Sequence, residues 1–240
     1  MIYIVFDLES IVVRNAGTVG RLVEIGAVEL TEDMKKPTIS DTFHTYIRTS
    51  SLEMIDRGTL MFIGADITDF EDAPLLNQAI ASFREWIGGE EYYLCTWSIG
   101  DMWILAENWL IEKFDASWIK NYNNIQPPIC RTITKGQTQM SLERAIEMRI
   151  GKQENEKYHS AMYDAINTAL LFVDSFEDIK NTLSLNKQPF PAYIEMVKSA
   201  QQRKISRNAR DSMKSSRFNS IGARLTDVKK REVIKKYFKE

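Results

Sequence analysis

Ile2-Tyr3-Ile4-Val5-Phe6-Asp7-Leu8-Glu9-Ser10 runs from five apolar residues, β-branched or aromatic for the most part, into two carboxylates spaced two apart. An apolar run of that kind reads as a buried strand. Side chains alternate along a strand, so Asp7 and Glu9 project from one face and can share a cation. Acids that merely punctuate a strand end show the same spacing, so the pair needs support from elsewhere in the chain. Working outward, residues 22–30 and 43–47 have the composition of two further strands. No clear helix lies between them, which predicts an antiparallel meander.

From Pro74 the period changes. Leu75, Leu76, Ala79, Ile80, Phe83 and Ile87 have helical spacing, with Gly88-Gly89 as a stop. A fourth strand is expected over 92–96 and a helix over 102–114. Pro127-Pro128 then introduces an expected fifth strand over 129–133, and helices follow over 141–150 and 160–176. A meander followed by strand–helix alternation predicts an α/β protein with a mixed five-stranded sheet flanked by helices.

The composition, 44% hydrophobic and 10% aromatic, is that of a folding globular chain and excludes a disordered one. The longest strongly apolar stretch without a charge, 165–173, is far short of the ~20 residues a membrane span requires, so no membrane association is expected. The start, which carries no basic leader, predicts a cytoplasmic protein. Cys95 and Cys130 stand in apolar surroundings and read as core atoms rather than a disulfide framework. Charge divides along the chain. Residues 185–240 hold 15 Lys or Arg against 5 Asp or Glu, whereas the remainder holds 16 against 28. Gln188-Pro189-Phe190-Pro191 breaks the pattern nearby, and 193–207 and 227–238 have helical spacing. These features predict a body over 1–184 and a basic, mainly helical extension over 185–240.

Two more segments carry chemistry-bearing residues. In Tyr158-His159-Ser160-Ala161-Met162-Tyr163-Asp164, Ser160 is an N-cap type, which leaves His159 in a loop and Asp164 about one turn into a helix. An acid there also suits the helix dipole, a purely structural reason for its presence. Asp101 follows Gly100 at the start of the helix after the fourth strand, where aspartate is also a preferred cap. His44, the other histidine, sits in a strand pattern and reads as an exposed or hydrogen-bonded sheet residue.

The order of these segments resembles the DEDDh 3′→5′ exonuclease superfamily over residues 2–176. Phe6-Asp7-Leu8-Glu9-Ser10 is similar to its first motif, Asp101 to its second, and His159 to Asp164 to its third. Val23-Glu24-Ile25-Gly26-Ala27-Val28 is similar to the family's second strand, and residues 60–74 to the segment before its first long helix. Ser10 stands where threonine is frequent, and Trp97-Ser98-Ile99-Gly100 departs from the usual lead into the second acid; neither removes a metal ligand.

The resemblance implies a ribonuclease-H-like fold and catalysis by Asp7, Glu9, Asp101, His159 and Asp164. The four acids would hold two Mg²⁺ or Mn²⁺ ions, with Asp7 bridging them, and His159 would act as general base. It implies contacts from Leu8, Phe62 and Ile63 to the terminal nucleotide of a single-stranded 3′ end, RNA or DNA, although plain core packing also suits all three. Within the superfamily the arrangement is most similar to stand-alone exonucleases that process histone mRNA and small RNA. Two other outcomes are open: a catalytically silent nucleic-acid-binding or scaffolding protein on the same fold, and an oligoribonuclease-like enzyme restricted to very short oligonucleotides. For the extension, a solvated basic face, a nucleic-acid arm and a docking element for a protein partner are all compatible with Lys229-Lys230-Arg231 and Lys235-Lys236 beside Val228, Ile234, Tyr237 and Phe238.

Overall fold

The computed structural model describes residues 1–12, 20–33, 36–89, 91–134, 136–151, 159–204 and 206–207. The opening run forms strand β1 (Ile2–Ser10), which continues through both carboxylates. β2 (Leu22–Asp33) pairs with it antiparallel, and β3 (Lys36–Tyr46) pairs antiparallel with β2. On the other flank β4 (Tyr92–Thr96) pairs parallel with β1, and β5 (Tyr122–Asn124) parallel with β4, giving the order β3-β2-β1-β4-β5. The meander and the mixed five-stranded sheet are as the patterning predicts.

The helices are α1 (Arg57–Ile63), α2 (Leu76–Ile87), α3 (Gly100–Ile111), α4 (Gln126–Ile133), α5 (Leu142–Arg149) and α6 (Ala161–Ile179). Alternation on β1 divides the core into two layers. Ile4, Phe6 and Leu8 face α2 and α3, while Tyr3 and Val5 face α4, α5 and α6. Asp7 and Glu9 continue the second set, so they emerge on the face covered by α6.

The expected fifth strand over 129–133 is instead the end of α4. Pro127-Pro128 lies in the first helical turn, where proline's missing N–H leaves no intrahelical bond unmade. The short polar Tyr122-Asn123-Asn124 supplies the strand. The body also extends past the boundary expected at 184, and the contacts divide the chain after Val197. Asn186 C=O accepts from Asn121 N–H at 2.8 Å, and Asn123 Oδ1 accepts from Ser184 N–H at 2.9 Å. Backbone over 190–197 is helical, and its Phe190, Ile194 and Val197 are buried with Phe114 and Tyr122. The second unit is helical over 198–204, and the expected helix over 227–238 lies outside the described residues. Among the described residues no helix is long and apolar enough to cross a membrane.

Candidate active site

The first acidic pair is placed by β1, and the opposing group by a close approach of helix to sheet. Asp7 lies across from Gly26 on β2, and Glu9 across from Glu24. A Cβ on Gly26 would fall 2.2 Å from the Met162 backbone nitrogen and 2.3 Å from the Ala161 carbonyl carbon. Only glycine lets the first turn of α6 lie directly on β2. That contact brings Asp164, three residues into α6, over the acidic end of β1. A carboxylate oxygen of Glu9, one of Asp164 and a ring nitrogen of His159 lie within 4.8 Å of one another.

Asp101 arrives from the opposite layer. It sits second in α3, with Ile99 rather than Asp101 at the capping position, and its own backbone N–H is one donor to its carboxylate. The carboxylate also reaches β1, where it accepts the Leu8 N–H at 3.1 Å. Asp101 is 5% exposed.

Burial and crowding raise every carboxyl in the cluster. Asp7 is pushed well above the ordinary range by burial, then by the charges of Asp101, Asp164, Glu9 and Glu24. Burial, then Asp164, Glu24 and Asp101, lift Glu9 to about 8. Asp101 rises to about 7 through burial, opposed by hydrogen bonds from its own and the Leu8 backbone. Burial lifts Asp164 to about 6, while the His159 backbone N–H and imidazole hold it down. Like charges this close repel unless a cation or protons relieve them.

A family model for exonucleases, RNase T, matches residues 4–172. The chain belongs to the RNase T exonuclease family. Its mixed five-stranded sheet flanked by helices is a ribonuclease-H-like exonuclease fold. The nuclease domain of 3′hExo, a DEDDh member solved with rAMP, superposes with a TM-score of 0.66 at 19% identity, over 78% of this chain and 96% of that one. Cell-death related nuclease 4 (CRN-4) gives 0.61 at 16% identity, over 73% and 64%. E. coli exonuclease I in complex with a dT13 oligonucleotide gives 0.52 at 10%, over 76% and 41%. Comparison with curated protein sequences gave no match. At such identities the structural likeness speaks for the fold alone.

Within this exonuclease domain the five residues expected to be catalytic converge at the end of β1. The three expected nucleotide contacts do not behave alike. Leu8 is 4% exposed and packs with Ile4 and Phe6 on the face opposite the carboxylates, and Ile63 is 2% exposed beside Val23, Ile55 and Phe70. Both side chains take the core placement, because strand alternation turns Leu8 away from its neighbours and α1 is anchored through Ile63. Phe62 is 42% exposed and stacks on the His159 ring. Sequence reasoning gave no role to Glu24, which is fully buried beside the cluster. Its signal is a lone acid at an inward position of an apolar strand.

DEDDh exonucleases use divalent cations, and the donors here fit one. They are carboxylate oxygens with one imidazole, their charges repel, and Asp164 Oδ1 is buried without a hydrogen-bond partner among the described residues. Oxygen-rich donor sets of this kind favour hard divalent cations.

Proposed function

We propose that this chain is a metal-dependent 3′→5′ exonuclease releasing nucleoside 5′-monophosphates from a single-stranded 3′ end. The observation that carries the reading is the convergence of Asp7, Glu9, Asp101 and Asp164 from three elements, with the His159 imidazole beside Glu9 and Asp164. Asp7, Glu9 and Asp164 would hold one of two Mg²⁺ or Mn²⁺ ions, with Asp7 and Asp101 toward the other. When bound, such ions neutralise the scissile phosphate and acidify the attacking water. His159 is exposed, so its imidazole takes a proton from that water and passes it to solvent. Asp101, fixed to the Leu8 N–H, ties the cluster to the backbone of β1. The exposed Phe62 ring offers a stacking face to the terminal base. Two proteins of similar fold, a 3′-exonuclease with 3′-end specific recognition of a histone mRNA stem-loop (TM-score 0.62, 18% identity) and exonuclease I in complex with dT13, support a nucleic-acid substrate with an accessible 3′ end.

The test uses 5′-labelled single-stranded RNA and DNA with Mg²⁺, each with a free or a phosphate-blocked 3′ end. A ladder shortening from the 3′ end, slowed by the block and abolished by Asp7→Asn, is expected. Internal cuts, or an Asp7→Asn variant that cleaves at the wild-type rate, would sink the reading.

A further inference from the structure

The carboxylate cluster leaves Glu24 unexplained. Its carboxylate is fully buried on β2, cross-strand from Glu9 and on the face that α6 covers. A buried carboxylate is costly unless it is hydrogen-bonded. Glu24 Oε1 accepts the Ser160 hydroxyl at 3.0 Å and lies 2.9 Å from His44 Nε2 on β3, while Oε2 has no partner among the described residues. The two contacts join three elements: β3, β2 and the residue that opens α6.

Ser160 occupies the capping position of α6, but its side chain accepts no backbone N–H of its own helix. Serine there ordinarily bonds the helix's free backbone N–H groups. Here the hydroxyl goes to Glu24. Its neighbours are the proposed base on one side and the metal-binding helix on the other. His159 holds a left-handed backbone, φ 70°, and the Ser160 C=O accepts the Asp164 N–H at 2.9 Å. Two residues from Glu24 on the same face, Gly26 seats Ala161 and Met162 against the strand. The first turn of α6 is therefore seated at Gly26 and tied at Glu24.

We propose that Glu24 is a positioning residue for this reaction. Through Ser160 it fixes the first turn of α6, and so the placement of His159 and Asp164 over Asp7 and Glu9, with His44 backing it from β3. This rests on the exonuclease reading above. A carboxylate suits the task because it only accepts, so the serine hydroxyl is committed as donor, and charge-assisted bonds are the stronger kind.

The experiment measures kcat and KM of the full-length protein at saturating Mg²⁺ on a 5′-labelled single strand, for Ser160→Ala, Ser160→Thr, Glu24→Gln, Glu24→Ala and the Glu24→Ala/Ser160→Ala double variant. Amide exchange of the peptide over 159–166 is followed without metal. Hydrogen bonds to charged groups correspond to rate effects of roughly 10- to 100-fold when they act on the chemical step. Ser160→Ala should lose about that much kcat with little change in KM, and its 159–166 peptide should exchange faster while the rest of α6 does not change. Ser160→Thr and Glu24→Gln, which keep a donor and an acceptor, should hold most of the rate. The double variant should be no worse than Glu24→Ala, as expected of two residues acting through one contact. Should Glu24→Ala fail to fold, the Ser160 variants and Glu24→Gln carry the test. A Ser160→Ala protein with wild-type kcat or unchanged exchange, or strictly additive losses in the double variant, would overturn the proposal while leaving the exonuclease reading intact. An inert wild-type protein would overturn both.

Discussion

The Phe62 ring stacks on the His159 imidazole with centroids 4.1 Å apart and planes 20° from parallel. α1 is held in place by its buried Ile63 and by the Asp56 cap, whose carboxylate accepts the Thr59 N–H at 2.7 Å. An anchored helix thus presents one exposed ring to the residue proposed as general base. Aromatic pairs contribute about 0.5–1.5 kcal/mol beyond area burial, so Phe62→Ala should lower kcat by roughly 2- to 10-fold. Phe62→Tyr should restore it. His159→Ala should cost far more, on the order of 10²–10⁴. In the double variant the effect of Phe62 on kcat should vanish, because the ring then has no imidazole to hold, while any effect on KM from base stacking should persist. A Phe62→Ala protein that raises KM alone would reduce the ring to a nucleotide contact.

Metal-free stability should fall as pH rises. Glu9, Asp101 and Asp164 stand at about 8, 7 and 6 in the folded chain, whereas unfolded carboxyls titrate near roughly 4. Between those limits the folded protein binds more protons than the unfolded chain. Stability therefore declines from about pH 4 to about pH 8, the reverse of a salt-bridged carboxylate. In chelator, Tm should drop across pH 5 to 8.5, and saturating Mg²⁺ should recover it, most at the alkaline end where protons no longer compete. Asp164→Asn should raise the metal-free Tm at pH 8 and abolish cleavage. A Tm that climbs with pH in chelator, or ignores Mg²⁺, would contradict the cluster as described.

What the sequence showed depended on whether a signal was periodic or singular. The alternation of 2–10 predicts both the strand and the shared face of Asp7 and Glu9, since a strand has one geometry. The order of the three acidic segments then predicts their convergence, because each abuts an element of predictable type. Pro127-Pro128 misleads, since proline serves equally before a strand and in a first helical turn. Glu24 is a single acid in an apolar run, and nothing local reveals that Ser160, 136 residues away, will bind it. Leu8 and Ile63 are apolar residues beside functional ones, and only the fold shows which way they turn. Charge and the break at 188–191 place a boundary near 184, yet Phe190, Ile194 and Val197 are three apolar side chains in a polar stretch that the core retains.

Gly26→Ala tests the seat of α6 directly. The atoms a new Cβ would meet, Met162 N and Ala161 C, are backbone and cannot swing aside. Either α6 lifts or β2 bends, and in both cases Asp164 leaves its place over Asp7. The variant should lose activity by roughly 10²-fold or more, as a displacement of about 1 Å can do, and show a lowered Tm. Gly89→Ala is the control, because nothing lies within 4 Å of a Cβ there. A Gly26→Ala protein with wild-type rate would show that the first turn of α6 is not held by this contact.

The last prediction separates the two parts of the C-terminal region. Residues 185–197 belong to the body: Phe190, Ile194 and Val197 are buried, and Asn186 bonds Asn121. Each fully buried side chain of that size contributes roughly 1.5–3 kcal/mol, so a chain ending at 184 should be markedly destabilised. A chain ending at Val197 should keep the wild-type Tm. Beyond it, residues 198–240 carry 14 Lys or Arg against 4 Asp or Glu, while none of the five proposed catalytic residues lies there. Each phosphate neutralised by such a group releases counterions, so affinity for a long single strand should fall more steeply with salt for the full-length protein than for the 1–197 chain. On di- to pentanucleotides the two should turn over alike, because the chemistry resides in the body. Equal affinity and equal salt slopes on a long strand would remove the nucleic-acid arm and leave the recruitment of a protein partner as the better account of the basic segment.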